Sequence, residues 1–322
     1  MEKIKLSLLQ KWKLPEQYSF VHSSALLSDG RVLILTSETD DSDKYCVLVL
    51  SSSDIKKIEI CNCSEDRRNY PVLFRFEDGF GIIKKGQQCE YYTGDFSSPG
   101  RLSIKNDDSV LQNIVPKKAQ QRYFQVTSDS SLIPVCFENN VYYGDARCFA
   151  LLEFDITKKY AEWKSFSNID KKAFTHRDDR RDETPKIDSL KIANREIYAF
   201  LSGESTTSVN KWGMDYYALA KISADGTVVE KFLESDNLKQ SSKKGGVNGV
   251  FTDSDYVVMT PLFKTDEWKG KQKLFSLTVR EYFDIGLPRG MSKHKVQNIS
   301  GDSCITSLYN RGLKEVALCK IG

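Results

Sequence analysis

Three histidines, His22, His176 and His294, are the side chains of this 322-residue chain best suited to moving a proton near neutral pH or to ligating a metal. Each lies at or just before a short apolar run, so a fold that gathers the starts of those runs would gather the histidines too. They are therefore the candidates for catalysis. Around the second, Thr175-His176-Arg177-Asp178-Asp179-Arg180-Arg181-Asp182-Glu183 combines a base, carboxylates and guanidinium forks, the side chains of a hydrolase or phosphate site. The same run also has the mixed charge of a solvated loop whose charges pair internally. Cys61-Asn62-Cys63 sets two sulfurs on one side of a strand, but with no second pair and no neighbouring histidine it does not make a metal set. No helical pattern follows Gly245, Gly246 and Gly249 to aim backbone N–H groups at a phosphate. No metal or cofactor is expected.

Those side chains need a scaffold, and its signature is β throughout. Apolar residues come in runs of Val, Ile, Leu, Phe and Tyr broken by Gly, Ser, Asp and Asn, with no long helical periodicity. A small polar turn recurs six times between two such runs: Ser28-Asp29-Gly30, Glu77-Asp78-Gly79, Ser128-Asp129-Ser130, Ala193-Asn194-Arg195, Asp253-Ser254-Asp255 and Gly301-Asp302-Ser303. Asp, Asn and Gly tolerate the positive φ of a tight hairpin. The spacing suits four strands and their connections per repeat. The chain thus resembles the β-propeller superfamily along its whole length, as a single all-β domain. The resemblance predicts a six-bladed β-propeller of four-stranded antiparallel blades over about 20–61, 71–105, 122–167, 186–234, 246–286 and 296–321. The last repeat supplies three strands, and residues 3–14 are expected to pair into it and close the ring. No Trp-Asp ending, kelch double glycine or complete Asp-box is present, so no family's functional residues come with the resemblance.

In such a fold the two kinds of connection lie on opposite faces. The recurring turns are short, whereas the connections on the other face are long and hold the unusual residues. Lys117, Lys118, Arg180, Arg181, Lys243, Lys244, Lys293 and Lys295 lie between repeats, and Tyr142, Tyr143, Trp212 and Trp268 lie within them. Long, varied loops on a rigid scaffold are where binding residues concentrate. This basic, aromatic face is the expected ligand-binding face.

The formal charge of +3 is too small to argue for nucleic acid or an anionic membrane. No apolar stretch reaches the length of a membrane span or a signal-peptide core, and the eight cysteines fall mostly in strand-like runs, as buried free thiols do. A cytoplasmic protein is expected. With no linear catalytic motif, the sequence favours a non-enzymatic module docking a protein or peptide on the long-loop face. The alternatives are a hydrolase or small-ligand binder at the channel mouth, using His22, His176 and His294, and a binder of RNA or another polyanion using the basic loops.

Overall fold

The computed structural model describes residues 2–38, 44–60, 71–76, 79–84, 88–104, 120–122, 132–138, 147–174, 186–203, 216–235, 246–262 and 268–322. After β1 (Lys3–Lys13), the chain lays down four-stranded antiparallel sheets in sequence order. The first contains β2 (Phe20–Leu26), β3 (Val32–Ser37), β4 (Tyr45–Leu50) and β5 (Ile55–Ile60). The second contains β6 (Val72–Phe76), β7 (Gly79–Lys84), β8 (Gln88–Thr93) and β9 (Gly100–Ser103). The third contains β10 (Gln120–Arg122), β11 (Leu132–Glu138), β12 (Arg147–Asp155) and β13 (Tyr160–Asn168). The fourth contains β14 (Lys186–Ala193), β15 (Glu196–Gly203), β16 (Tyr216–Ile222) and β17 (Val228–Glu234).

The remaining strands are β18 (Val247–Phe251), β19 (Tyr256–Pro261), β20 (Lys273–Ser276), β21 (Tyr282–Gly286), β22 (Lys295–Ser300), β23 (Ser303–Tyr309) and β24 (Leu313–Ile321). With β1 they form one sheet in the order β18-β19-β20-β21-β1-β24-β23-β22. β1 runs antiparallel to β24, from Leu6 opposite Ile321 to Lys13 opposite Glu315, and parallel to the end of β21, with Lys3 opposite Asp284. The Trp12 Nε1–H also donates to the Ser51 carbonyl at 2.6 Å, tying this strand to the first sheet.

Residue patterns follow position in the sheet. Middle strands are covered on both faces, so Val32-Leu33-Ile34-Leu35 and Val47-Leu48-Val49-Leu50 are continuous apolar runs, buried throughout. The fourth strand has a wet face: Ile55–Ile60 buries Ile58 and Ile60 while exposing Lys56, Lys57 and Glu59, charges that discourage a foreign strand from pairing there. The hairpin turns form as their residues require. Gly30 has φ of +86°, and the Asp29 carboxylate accepts from the Arg31 amide at 3.0 Å. Asn194 and Arg195 have φ of +52° and +65°, the paired left-handed geometry that matches strand twist. Ser128-Asp129-Ser130, Glu77 and Asp78 lie outside the described residues.

The core lies between consecutive sheets. Leu33 and Val47 of the first pack on Phe80, Ile82 and Tyr92 of the second. Phe74 meets Phe154 of the third edge-on at 4.7 Å. Phe149 of the third packs with Leu190 and Tyr216 of the fourth, and Phe200 and Leu219 of the fourth with Val257 and Phe275 beyond it. Ile4 and Leu6 join β19 and β20 to β22–β24, and Trp12 and Val316 return to Ile34 and Leu48 of the first sheet. Each such large side chain contributes about 1.5–3 kcal/mol on burial. Among the described residues no helix is long and apolar enough to cross a membrane.

Candidate functional site

The first strands of the sheets lie side by side, β2 between β22 and β6, and β14 beside β18. Their pairing with the second strands slips by one residue at a recurring place. In β2 the partners are Phe20–Ser37 and Val21–Thr36, then Ser23–Leu35, which skips His22. In β14 they are Lys186–Ser202 and Ile187–Leu201, then Ser189–Phe200, which skips Asp188. In β22 they are Lys295–Ser307 and Val296–Thr306, then Asn298–Ile305, which skips Gln297. His22, Asp188 and Gln297 are therefore equivalent residues, each the third of its strand and each beside a serine of the second strand, Ser37, Ser202 or Ser307. A bulge leaves its extra residue out of the ladder and re-aims the side chain. All three are partly exposed.

Two of these pairs share a hydrogen bond, His22 Nε2 with Ser37 Oγ at 2.7 Å and Gln297 Nε2–H to Ser307 Oγ at 2.8 Å. The His22 ring also tilts against Tyr45 at 5.2 Å. Burial lowers the His22 pKa to about 4, so the imidazole is neutral at pH 7 and exchanges hydrogen bonds rather than charge. Ser37 is 1% exposed, so its hydroxyl orients the ring and is no nucleophile for an outside substrate.

The residues after the bulges bind one first strand to the next. Ser189 Oγ donates to the Gly249 carbonyl at 2.8 Å, and Asn298 Nδ2 to the Ser24 carbonyl at 3.0 Å. Ser23, the equivalent residue of β2, is buried, and neither its hydroxyl nor Asn248 Oδ1 on β18 has a hydrogen-bond partner among the described residues. Polar atoms so placed are left to water or a ligand.

The short-turn end of the first strands is closed. Arg75, from β6, donates to the Leu26 carbonyl of β2 at 3.0 Å, and its Nε lies 3.7 Å from Asp253 in the turn after β18. The Asp253 carboxylate, 2% exposed, also accepts from Asn298 Nδ2 at 2.9 Å. Burial pushes the Asp253 pKa up against the opposing pull of Arg75, Asn298 and Lys191. Lys191 caps the Thr252 carbonyl at 3.0 Å. The polar mouth is thus at the end that receives the long connections.

The expected site residues divide. His22 stands at the mouth. His294 does not: 5% exposed, it turns into its own sheet, with Nδ1 3.1 Å from Thr306 Oγ1 and Nε2 3.3 Å from Glu315, and burial lowers its pKa despite that carboxylate. Trp268 is no exposed loop aromatic but is 2% exposed, in contact with Tyr282 and under the Lys273 ammonium, which is 4.8 Å from its ring. Trp268, Lys293, His294 and Lys295 nevertheless line one cavity of about 1020 Å³ between β19–β21 and β22. Tyr309 lines it too, and its hydroxyl accepts from the Val21 amide at 2.8 Å, next to His22. His176, Lys117, Lys118, Tyr142, Tyr143, Arg180, Arg181, Trp212, Lys243, Lys244, Cys61 and Cys63 lie outside the described residues. Asp188, Gln297, Arg75 and Asp253 were missed in the sequence. The serines near the ends of the second strands, Ser37, Ser202 and Ser307, were the available signal for the first two.

No protein-family model matches the sequence, and no curated protein matches it. Among solved structures, that of an α-L-arabinanase from Penicillium chrysogenum complexed with arabinobiose is similar over 99% of this chain and 97% of that one, with a TM-score of 0.50 and 9% identity. Such a likeness carries the fold and not the activity. It does correct the expectation of a non-enzymatic protein- or peptide-docking module, because the architecture shared end to end is that of an enzyme with a small carbohydrate bound. Together with the successive four-stranded antiparallel sheets, it shows a β-propeller fold.

Proposed function

We propose that this chain is a six-bladed propeller, its ring closed by β1, which takes a short, hydroxyl-rich ligand at the loop-side mouth of its channel and hydrolyses it. The observation that carries the reading is the recurrent bulge: His22, Asp188 and Gln297 leave the ladder at one equivalent step of three first strands. Neutral imidazole, carboxylate and carboxamide together offer the mixed donors and acceptors that sugar hydroxyls need. The unpartnered Ser23 hydroxyl and Asn248 oxygen add to them. Arabinobiose in the similar solved structure supports a saccharide as the ligand class. Hydrolysis of a glycosidic bond uses two carboxyl groups. Asp188 is one, and the connection entering β14 carries Asp178, Asp179, Asp182 and Glu183 in its sequence.

The test is reducing-end release from a panel of arabino- and other oligosaccharides by wild type and by Asp188→Asn. Turnover is expected in the wild type and a loss of about 100-fold or more in the variant, the scale of one acid–base group, at unchanged thermal stability. No saccharide bound or cleaved, or full activity in the variant, would overturn the reading.

A further inference from the structure

The cavity between β19–β21 and β22 is a built, strongly basic concavity separate from the channel mouth. Lys3, Lys269, Lys271, Arg289, Lys293 and Lys295 line it, and Lys273 makes a seventh cation, against the single carboxylate of Asp284 among the described residues. Among the described residues none of those first six has an ion-pair partner. A second concavity, of about 540 Å³ around β14–β17, is the contrast: its Lys221 pairs with Glu196, and its Arg280 with Glu230 at 2.8 Å. Charges that neutralise each other leave nothing for a ligand. Unpaired like charges on a concave, low-dielectric wall focus a field into the space they surround. A chain of net charge +3 that gathers these cations in one hollow has concentrated them there.

The walls are fixed. In the connection before β22, Gly290 has φ of +82°, the Met291 amide donates to the Pro288 carbonyl at 3.0 Å, and the His294 amide to the Met291 carbonyl at 2.9 Å. Met291 and His294 are thereby buried, while Arg289, Lys293 and Lys295 are exposed. Gln272 clamps the two sides: its Nε2 donates to Thr260 Oγ1 at 2.9 Å, and its Oε1 accepts from the Val296 amide at 2.8 Å.

We infer that this cavity binds a small ligand carrying two or more tetrahedral oxyanion groups, phosphate or sulfate esters. Lysines outnumber arginine, and their ammonium groups act as compact point charges of the kind that hold phosphate oxygens. Trp268 is buried beneath Lys273, so recognition runs through charge, without an aromatic platform for a base. The volume is that of a small-molecule pocket.

Isothermal titration with inorganic tripolyphosphate and with a disulfated disaccharide, at roughly 50 and 200 mM salt, tests this. At least one probe is expected to bind one-to-one, more weakly at the higher salt, and which one binds names the ester. Lys293→Glu with Lys295→Glu is expected to lose at least 100-fold in affinity. Lys158→Glu with Lys172→Glu, the same charge change on distant exposed residues, is expected to retain binding, as is Asp188→Asn, which separates this site from the channel mouth. No saturable binding of either probe, an equal loss in the distant variant, or binding only of long polyanions such as heparin or RNA would overturn the assignment.

Discussion

Replacing Arg75 by methionine should destabilise the protein far more than replacing Asp253 by asparagine, although both break the same ion pair. Asp253 is 2% exposed at its side chain and Arg75 is 27% exposed. Removing Arg75 strands a buried carboxylate, a change that costs about 3–5 kcal/mol. Asp253→Asn keeps an oxygen for Asn298 Nδ2 and leaves Arg75 on the Leu26 carbonyl with access to water, so about 1 kcal/mol should be lost. The double variant should resemble Asp253→Asn alone, because no charge is left to strand.

The pH dependence has a definite sign. Burial raises the folded-state pKa of Asp253 above its ordinary value, so over that interval the folded state holds the extra proton and this group's contribution falls as pH rises through it. Without Arg75 the pKa rises further. The penalty in Arg75→Met should therefore be largest at pH 7 and shrink toward pH 5. For a chain of 322 residues the melting temperature moves about 1.5 °C per kcal/mol, giving a loss of about 5–7 °C for Arg75→Met at pH 7. Calorimetry of the two single variants and the double at both pH values is the assay. Equal losses in the single variants, additive losses in the double, or a penalty indifferent to pH would refute the reasoning.

Two further outcomes follow from the first strands. Because burial lowers the His22 pKa from 6.5 to about 4, the unfolded chain binds a proton that the folded chain does not between those values, and stability should fall as pH drops through that window; urea midpoints at pH 7 and 4.5 should drop less in His22→Gln than in wild type, and an equal drop would remove His22 as the cause. Gly249→Ala should cost about 1–3 kcal/mol or more, because the new methyl would lie 2.3 Å from Cδ2 of the fully buried Phe200 ring; Phe200→Leu in the same chain should recover part of it, and a Gly249→Ala protein as stable as wild type in urea would show that the ring yields.

The strand pattern was legible because it is local. Val32–Leu35 and Val47–Leu50 read as continuous apolar runs since both their faces are covered, and the turns at Gly30 and Asn194 declare themselves by residues that tolerate positive φ. The site was less legible because it depends on register. Nothing in Phe20-Val21-His22-Ser23-Ser24 states that the ladder skips His22, and a one-residue slip is settled by pairing with Ser37 and Leu35 across the hairpin. His294 stands just before its strand, as His22 stands near the start of β2, yet it turns into its own sheet, where Thr306 and Glu315 receive its nitrogens. Trp268 looked like a loop aromatic, but the space beside Val257 and Phe275 buries it. Arg75 and Asp253 are distant in the chain and meet only because the first strands lie side by side.

The bulges also explain how the first strands are held side by side. Neighbouring first strands form no ladder with each other, so their inward carbonyls need other donors. A bulge lets the next residue turn toward the neighbouring strand, and Ser189 and Asn298 use this to bond the carbonyls of Gly249 and Ser24. At the joint between β2 and β6 the equivalent residue is Ser23, whose hydroxyl has no partner among the described residues, and the joint is held at its other end by Arg75 on the Leu26 carbonyl. The centre is therefore fastened unevenly, clasped at the short-turn end by Arg75 and Asp253 and left polar beside His22. A purely structural centre would gain by giving Ser23 a partner or an apolar side chain, since a buried hydroxyl without one costs about 1–3 kcal/mol. That this chain keeps the hydroxyl at the mouth, next to the bulged imidazole, is the physical reason to place ligand chemistry there.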